Sequence, residues 1–163
     1  MSIINNDRIT ENISLMFVCH GNICRSPMAE YIMKHIVNHH GLADRFLIRS
    51  SATSNEEIGN DVYPPARRVL RTNGIDCPVR SAVRLKESDY GKYDLILYMD
   101  DYNGRNIRYI MGDPEAKIIK LGRFGLNGAD ISDPWYTDRF EQTYQEITLC
   151  CEELFGILRE KLQ

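Results

Sequence analysis

Near its start the chain reads Leu15-Met16-Phe17-Val18-Cys19-His20-Gly21-Asn22-Ile23-Cys24-Arg25-Ser26-Pro27. The apolar run at the beginning of this stretch is typical of a strand that is buried on both faces of a parallel sheet. Towards its end, Ser26 is a good helix N-cap, and Pro27 suits the first helical position. Apolar residues then recur at helical spacing as far as Val37. The stretch therefore predicts a strand over Ile13 to Cys19, a short loop and a helix.

The loop has the spacing Cys-x5-Arg, with five residues between Cys19 and Arg25. A short loop between a strand and a helix can turn its N–H groups inward, and the helix N-terminus adds partial positive charge. Gly21 permits a tight turn and a close approach of the backbone to a ligand. Arg25 offers a planar fork to two phosphate oxygens, and Ser26 can donate a hydrogen bond to the sulfur. We predict that the loop binds phosphate and holds Cys19 as an attacking thiolate.

Further along the chain, strand and helix patterns alternate. The predicted strands are Phe46 to Ile48, Asp94 to Met99 and Ala116 to Leu121. The predicted helices are Pro64 to Asn73, Asn103 to Met111 and a final helix whose apolar residues step by four and three from Phe140 to Leu158. This alternation predicts an α/β fold: a four-stranded parallel sheet flanked by helices on both faces, with the phosphate-binding loop after the first strand. Active sites of such folds lie at the carboxyl ends of strands, and Cys19 ends the first one.

Three local patterns give narrower predictions. The stretch Ser50 to Asp61 is small and polar, which indicates a loop. Asp138 and Glu141 are three residues apart and fit an N-terminal cap of the final helix. Cys151 lies on the apolar stripe of that helix, so the adjacent Cys150 is expected to face away from the core.

Length and composition limit the possible classes of protein. The chain has 163 residues, a length that suits one domain. Its net charge of −3 indicates no nucleic-acid or anionic-membrane partner. No apolar run approaches the length of a membrane span. Residues 1–12 are polar and are predicted to form a partly disordered tail, followed by a single domain over residues 13–163.

The five cysteines indicate a reducing environment. Their number is odd, and the N-terminus lacks the basic and apolar regions of an export signal, so disulfides are not expected. We therefore predict a cytoplasmic protein. No Cys-x-x-Cys pair occurs, and no structural zinc site is predicted.

The segment from Val18 to Glu30 resembles the active-site signature of the low-molecular-weight protein tyrosine phosphatases. Three later segments match that family in the expected order, and the resemblance extends from about Ser14 to the C-terminus: Ser50-Ser51-Ala52-Thr53, Tyr98-Met99-Asp100 with Asn103, and Asp133-Pro134. The resemblance implies a two-step reaction. In it, Cys19 attacks phosphorus to give a cysteinyl-phosphate, and Asp133 protonates the leaving phenolate and then serves as base for water. Residues 13–163 would then be a phosphatase domain.

The predicted catalytic residues are accordingly Cys19, Arg25 and Asp133. Residues of the loop and of a neighbouring aromatic pair are predicted to bind substrate: His20, Gly21, Asn22, Ile23, Cys24, Ser26, Trp135 and Tyr136. By resemblance, Asn22 hydrogen-bonds within the loop and helps to hold Ser26, while the aromatic pair forms one cleft wall. We expect the His20 side chain to point away from the phosphate, since the backbone forms the cradle. Neither a cofactor nor a metal is predicted.

The opposite wall departs from the family. Many members carry an aromatic residue after the position of Thr53, whereas this chain reads Ser54-Asn55-Glu56-Glu57-Ile58-Gly59, with Glu56 or a neighbour in place of the aromatic. A carboxylate at the entrance would affect substrate preference and not the chemistry. The predicted partners are phosphotyrosine-containing proteins or small aryl phosphates, and the sequence indicates no oligomeric state.

Three alternative functions fit the sequence less well. An arsenate reductase of the same fold needs an additional redox cysteine pair, and only Cys77 lies in the middle of the chain. By resemblance, phosphoarginine-specific relatives carry threonine at the position of Ile23, where tyrosine-specific members carry a branched aliphatic residue. A phosphopeptide-binding module without turnover has no need of the acid Asp133.

Overall fold

The computed structural model describes all 163 residues and has an α/β architecture. Its four strands are β1 (Ile13–Cys19), β2 (Phe46–Ala52), β3 (Leu95–Tyr98) and β4 (Ile118–Lys120). All neighbouring strands pair in parallel, and the order across the sheet is β2-β1-β3-β4. The predicted four-stranded parallel sheet is confirmed.

Five α-helices accompany the sheet: α1 (Arg25–His39), α2 (Pro64–Thr72), α3 (Asp101–Met111), the one-turn α4 (Pro134–Thr137) and α5 (Phe140–Arg159). The larger core cluster includes side chains of α1, α2 and α5 packed on one face of the sheet. A smaller cluster joins α3, through Ile107, to the other face at Met16, Val18 and Ile96. The sheet is therefore covered on both faces, as predicted. None of the helices combines the length and apolar character needed to cross a lipid bilayer.

The strand order places the functional loop at a crevice. From β1 the chain crosses to β2 on one side and then returns to β3 on the other side of β1. The connections that leave β1 and β3 at their carboxyl ends therefore diverge, and ligands of open α/β sheets bind at such switch points. Cys19 ends β1 at this edge, and Asp100 follows β3 at the same edge.

Strand β2 is longer than predicted. Ser50, Ser51 and Ala52 continue the strand opposite Phe17, Val18 and Cys19 of β1, where the sequence indicated a loop. Small polar residues are poor strand formers by themselves, but the buried partner strand supplies the pairing. The extension has a functional consequence, because it brings the Ser50 hydroxyl beneath the loop that follows Cys19.

Two helix starts also differ from prediction. Helix α1 begins at Arg25, and Ser26 is inside its first turn, where its hydroxyl binds the sulfur of Cys19 and does not cap the helix. Helix α5 is preceded by Arg139 without a side-chain cap, because Asp138 adopts a left-handed conformation (φ 60°) that ends α4. Capping patterns in sequence do not reveal that a neighbouring helix uses the same residue.

The expectation for Cys150 was wrong. Both Cys150 and Cys151 are completely buried. Helix α5 packs against α1 and α2 and also against the 3-10 turn at Leu121–Arg123, so its buried surface is wider than a single apolar stripe.

The N-terminal segment, which the sequence predicts to be a partly disordered tail, contacts the domain. Ile3 is buried in the main core, and the Ser2 hydroxyl accepts a hydrogen bond from Ile4 N over 3.2 Å. Thr10 forms a parallel bridge with Leu162. Ile3, the partly buried Ile4 and the Thr10 bridge therefore attach this segment to the domain.

Candidate active site

The sulfur of Cys19 is buried at the carboxyl end of β1 and receives two short polar contacts. Its distance to the hydroxyl oxygen of Ser26 is 3.0 Å, and the backbone N–H of Asn22 donates to it over 3.3 Å. The first turn of α1 begins at Arg25, close to the same loop. The sulfur of the predicted nucleophile therefore lies beside a backbone N–H group and a hydroxyl group.

Asn22 holds the loop in shape from behind. Its backbone is left-handed (φ 59°), and its side-chain nitrogen donates to Ser26 over 2.8 Å and to Ser50 over 2.9 Å. Its side-chain oxygen accepts from Val83 N over 3.1 Å. Asn22 and Ser26 were predicted to bind substrate, but they do not line the cavity, and their side chains support the loop and the sulfur.

The guanidinium of Arg25 is almost completely buried and held by three acceptors. Nη1 donates to Asp100 and to the carbonyl oxygen of Ile131, each over 2.8 Å, and Nη2 donates to Asp133 over 3.4 Å. Burial alone would lower the pKa of Arg25, but the negative charges of Cys19, Asp133 and Asp100 outweigh that effect and raise it. The cation is therefore permanent, and its fork is oriented before any ligand arrives.

Asp133 stands at the mouth of the site, at the N-terminus of α4. One carboxylate oxygen accepts from Trp135 N over 3.0 Å, while the other faces Arg25. Pro134 occupies the first helical position and fixes the backbone there. This arrangement keeps a partly exposed carboxyl group beside the cavity that contains Cys19.

A cavity of about 120 Å³ opens above the sulfur. It is lined by most of the predicted residues and by two glutamates: Cys19, His20, Gly21, Ile23, Cys24, Arg25, Glu56, Glu57, Asp133, Trp135 and Tyr136. The structure thus brings the three predicted catalytic side chains to one cavity from segments that are more than a hundred residues apart in sequence.

One wall of the cavity is aromatic. The Trp135 ring packs against Tyr63 with ring centroids 4.9 Å apart, and Tyr63 packs in turn against Phe140. Tyr136 is 84% exposed. Trp135 therefore combines packing with a position on the cavity, and Tyr136 is free to contact a bound substrate.

The opposite wall comes from the segment after β2. His20 lines the cavity, and its Nε2 lies 3.0 Å from a carboxylate oxygen of Glu56. This segment is bonded to the phosphate loop, since Thr53 N donates to the Cys19 carbonyl and both Ser54 N and its hydroxyl donate to the His20 carbonyl. The loop that follows Cys19 and this wall are therefore held together by hydrogen bonds.

Cys24 lies in the same loop and lines the same cavity as Cys19. Burial, followed by the negative charge of Cys19, raises the pKa of the Cys24 thiol far above its ordinary value. Cys24 therefore stays protonated, and Cys19 is the cysteine of this cavity whose sulfur accepts a hydrogen bond from a backbone N–H, that of Asn22.

Four contributors to the site were not assigned a role from the sequence. Asp100 and the Ile131 carbonyl orient Arg25, Glu57 lines the cavity, and Arg80 donates to the backbone of Asn22. All four come close to the loop after Cys19 only in the folded structure. The sequence singles out only Asp100, as part of the Tyr98-Met99-Asp100 segment that ends β3 and follows it. No group of three or more His, Cys, Asp or Glu side chains is placed to hold a metal ion.

Comparison with known proteins gives a consistent result. Residues 14–163 match the family model described as low molecular weight phosphotyrosine protein phosphatase. The chain is 34% identical over 154 residues to the low molecular weight protein-tyrosine-phosphatase YfkJ of Bacillus subtilis, a match covering 93% of this chain and 99% of that protein. It is 35% identical over 152 residues to the low molecular weight phosphotyrosine protein phosphatase of Sus scrofa, covering 90% and 96%.

The fold agrees with solved structures of similar proteins. The crystal structure of YfkJ from Bacillus subtilis superposes with a TM-score of 0.89 at 33% identity, covering 94% of this chain and 99% of that one. The crystal structure of a low molecular weight protein tyrosine phosphatase from Streptococcus pyogenes superposes with a TM-score of 0.80 at 34% identity, covering 88% and 91%.

Proposed function

The chain belongs to the low molecular weight phosphotyrosine protein phosphatase family, and on this premise we propose that it hydrolyses phosphotyrosine in proteins through a cysteinyl-phosphate intermediate on Cys19. One observation carries the proposal: the Cys19 sulfur, which contacts the Asn22 N–H and the Ser26 hydroxyl, shares a cavity with Arg25 and Asp133. These are a nucleophile, a phosphate clamp and a proton donor.

In the first step the thiolate of Cys19 attacks phosphorus. The S–P bond forms as the P–O bond to the phenol breaks, and Asp133 gives its proton to the departing oxygen. Arg25 and the loop N–H groups hold the three equatorial oxygens, whose charge changes during transfer. The prior orientation of Arg25 by Asp100 supports this role, because a fixed donor needs no reorganisation at the moment of reaction.

In the second step water replaces sulfur on phosphorus. Asp133, now a carboxylate, takes a proton from the attacking water, and Cys19 leaves as a thiolate. The contacts of the sulfur with Ser26 and with the Asn22 N–H stabilise that leaving group. Dividing one displacement into two steps is what a covalent nucleophile provides.

Phosphotyrosine suits the cavity by shape and polarity. Ile23 offers an apolar contact to an aromatic ring, and Trp135 with Tyr136 provides a flat wall beside it. Small aryl phosphates share these features and are expected to be hydrolysed as well. We propose that the partners are phosphotyrosine-containing proteins and that no cofactor is needed.

Two alternatives of the same fold remain secondary. Two glutamates at the cavity could attract the guanidinium of a phosphoarginine, but Ile23 gives such a group no polar partner. Arsenate reduction is disfavoured because Cys77, the one mid-chain cysteine, is buried, and burial raises the pKa of its thiol.

We also propose that the protein works in the cytoplasm. All five cysteines are free thiols, and a reducing compartment keeps Cys19 in its active form.

The proposal is tested with the variant Cys19→Ser and a phosphotyrosine peptide. Wild type should release phosphate and, on rapid quenching, carry phosphate on Cys19, whereas Cys19→Ser should do neither and still bind vanadate in part through Arg25. Cys77→Ser serves as the matched control, because its thiol lies outside the cavity. Retention of a tenth of wild-type turnover by Cys19→Ser would rule out Cys19 as the nucleophile.

A further inference from the structure

Two neighbouring carboxylates form one side of the cavity mouth. We name Glu56 and Glu57, which both line the cavity, the acidic wall. No lysine lines the cavity, and Arg25 is its one arginine. A substrate that brings its phosphate to Cys19 therefore has to pass a wall of the same charge sign as the phosphate.

The charges around the cavity do not cancel the acidic wall. Arg25 is shared between Asp100 and Asp133, at 2.8 Å and 3.4 Å. His20 binds Glu56, and even a fully protonated imidazole would offset only one of the two glutamates. Glu57 forms no salt bridge, and its one side-chain partner is the neutral amide of Asn60 at 2.6 Å.

Two arginines on the adjoining segment also leave the acidic wall unneutralised. Arg84 donates to the side chain of Asn55 over 3.1 Å, and Arg80 donates to the carbonyl oxygens of Asn22 and Asn60. Neither arginine lines the cavity. The wall therefore retains at least one uncompensated negative charge at the point where a substrate enters.

The acidic wall is also held in place. Glu56 is fixed by His20, and Glu57 is fixed by Asn60 and lies across Gly21, where an added methyl group would be 3.2 Å from its Cγ. Charges that are already oriented can act on a ligand with little further loss of side-chain entropy.

We propose that the acidic wall selects phosphotyrosine segments with a lysine or arginine beside the phosphorylated residue. The proposal rests on the phosphotyrosine activity proposed above and specifies which substrates it favours. When the ring enters between Ile23 and the aromatic wall, neighbouring residues of the substrate pass over the rim. A cationic side chain there meets Glu57 and the Glu56–His20 pair, whereas an acidic one is repelled.

The expected gain in kcat/KM follows from the strength of ion pairs between exposed side chains. Each such pair is modest, so we expect about a two- to five-fold gain in kcat/KM for each carboxylate that meets a cation. Repulsion of an acidic neighbour should widen the contrast between basic and acidic peptides to roughly tenfold. The contrast should shrink as salt rises from about 0.05 M to about 0.5 M, because salt screens exposed charges.

The experiment measures kcat/KM on three phosphotyrosine peptides that differ only in having lysine, alanine or glutamate on both sides of the phosphorylated residue. Free phosphotyrosine is the fourth substrate. The enzymes are wild type, Glu57→Gln, the double variant Glu56→Gln/Glu57→Gln, and Glu152→Gln. The last removes the same charge from an exposed position of α5 outside the cavity and is the matched control.

We expect the lysine peptide to be the best substrate of wild type and of Glu152→Gln. The lysine-to-glutamate ratio should fall in Glu57→Gln and approach one in the double variant. Equal kcat/KM on all three peptides in wild type, or an unchanged lysine-to-glutamate ratio in the double variant, would overturn the proposed role of the acidic wall. Either result would leave the proposed phosphatase activity intact. Failure to hydrolyse free phosphotyrosine and every peptide would instead overturn the proposed function.

Discussion

Arg80 Nη2 donates to the carbonyl oxygen of Asn22 over 2.6 Å. Asn22 has the left-handed backbone that shapes the phosphate loop. In a trans peptide the carbonyl oxygen and the following N–H point in opposite directions, so this bond directs the N–H of Ile23 away from Arg80. A charged donor on one end of the peptide also polarises the N–H at the other end. Arg80 is thus a positioning residue for the loop.

Arg80→Met should therefore weaken the binding of phosphate and vanadate by about tenfold, the range for loss of a charge-assisted hydrogen bond. The expected signature is a raised inhibition constant for phosphate, with partial rescue in Arg80→Lys. Arg84→Met is the matched control, since Arg84 lies four residues away and its side chain donates to Asn55 and not to the loop. Unchanged phosphate inhibition in Arg80→Met would contradict the positioning role.

Asp133→Asn should reduce kcat on a phosphotyrosine peptide by about a hundredfold or more, the usual contribution of a general acid. Nitrophenyl phosphate should lose much less, because nitrophenolate leaves without needing a proton. The measurement is steady-state kcat on both substrates. Equal losses on the two would argue against proton donation by Asp133.

Ile23→Thr should shift preference from phosphotyrosine towards phosphoarginine. Ile23 gives a dry contact to an aromatic ring and nothing to a guanidinium, whereas a threonine hydroxyl can accept a hydrogen bond from it. Both kcat/KM values are measured for wild type and variant. If wild type has equal kcat/KM on the two substrates, or if the variant shows no shift in their ratio, Ile23 does not determine the specificity.

Cys24→Ser should make inactivation by hydrogen peroxide harder to reverse. Peroxide converts the Cys19 thiolate to a sulfenic acid, and the Cys24 thiol can then displace water to form a disulfide, which thiols reduce. Because burial and the Cys19 charge raise the pKa of Cys24, its own thiol should not be the first target of peroxide. Activity is measured after peroxide and then reductant, with Cys77→Ser as control. Equal recovery of activity in all three proteins would count against a protective role of Cys24.

Acid sensitivity should depend on Asp61. The hydrogen bond from Arg67, opposed in part by burial and aided by the Val62 and Arg80 backbone N–H groups, lowers the pKa of Asp61 to about 2. A lowered folded-state pKa means that this carboxylate stabilises the protein above about pH 4 and that the contribution is lost as pH falls towards about 2. Asp61→Asn should be less stable than wild type at pH 7, with a difference that shrinks below about pH 4. Urea unfolding at several pH values measures this, and a difference independent of pH would contradict it.

Much of the fold could be predicted because its signals are local. The apolar run of β1, the Cys-x5-Arg loop and the periodicity of α5 are each readable within a short window. Ser50 to Ala52 could not be read as a strand, because their pairing is imposed by β1. Cys150 is buried by a second set of neighbours that periodicity within one helix does not describe.

Some residues of the site could likewise be predicted from the sequence, and others could not. Cys19, Arg25 and Asp133 could be selected because their chemistry and spacing are distinctive and a family resemblance supports them. The partners that orient them come from distant segments, as when the Ile131 carbonyl meets Arg25. A carbonyl oxygen has no sequence signal at all. Glu57 and Arg80 resemble ordinary surface charges until the fold places them beside the loop.

The contact between Glu57 and Gly21 has an evolutionary consequence. The nucleophile Cys19 and the acidic wall lie in different segments, so substrate preference can diverge among descendants without mutation of the nucleophile. That freedom is limited, because a methyl group on Gly21 would lie 3.2 Å from Glu57 Cγ. Alanine at position 21 would require the Glu57 side chain to shift by a few tenths of an ångström. The residues at positions 21 and 57 are therefore expected to change together.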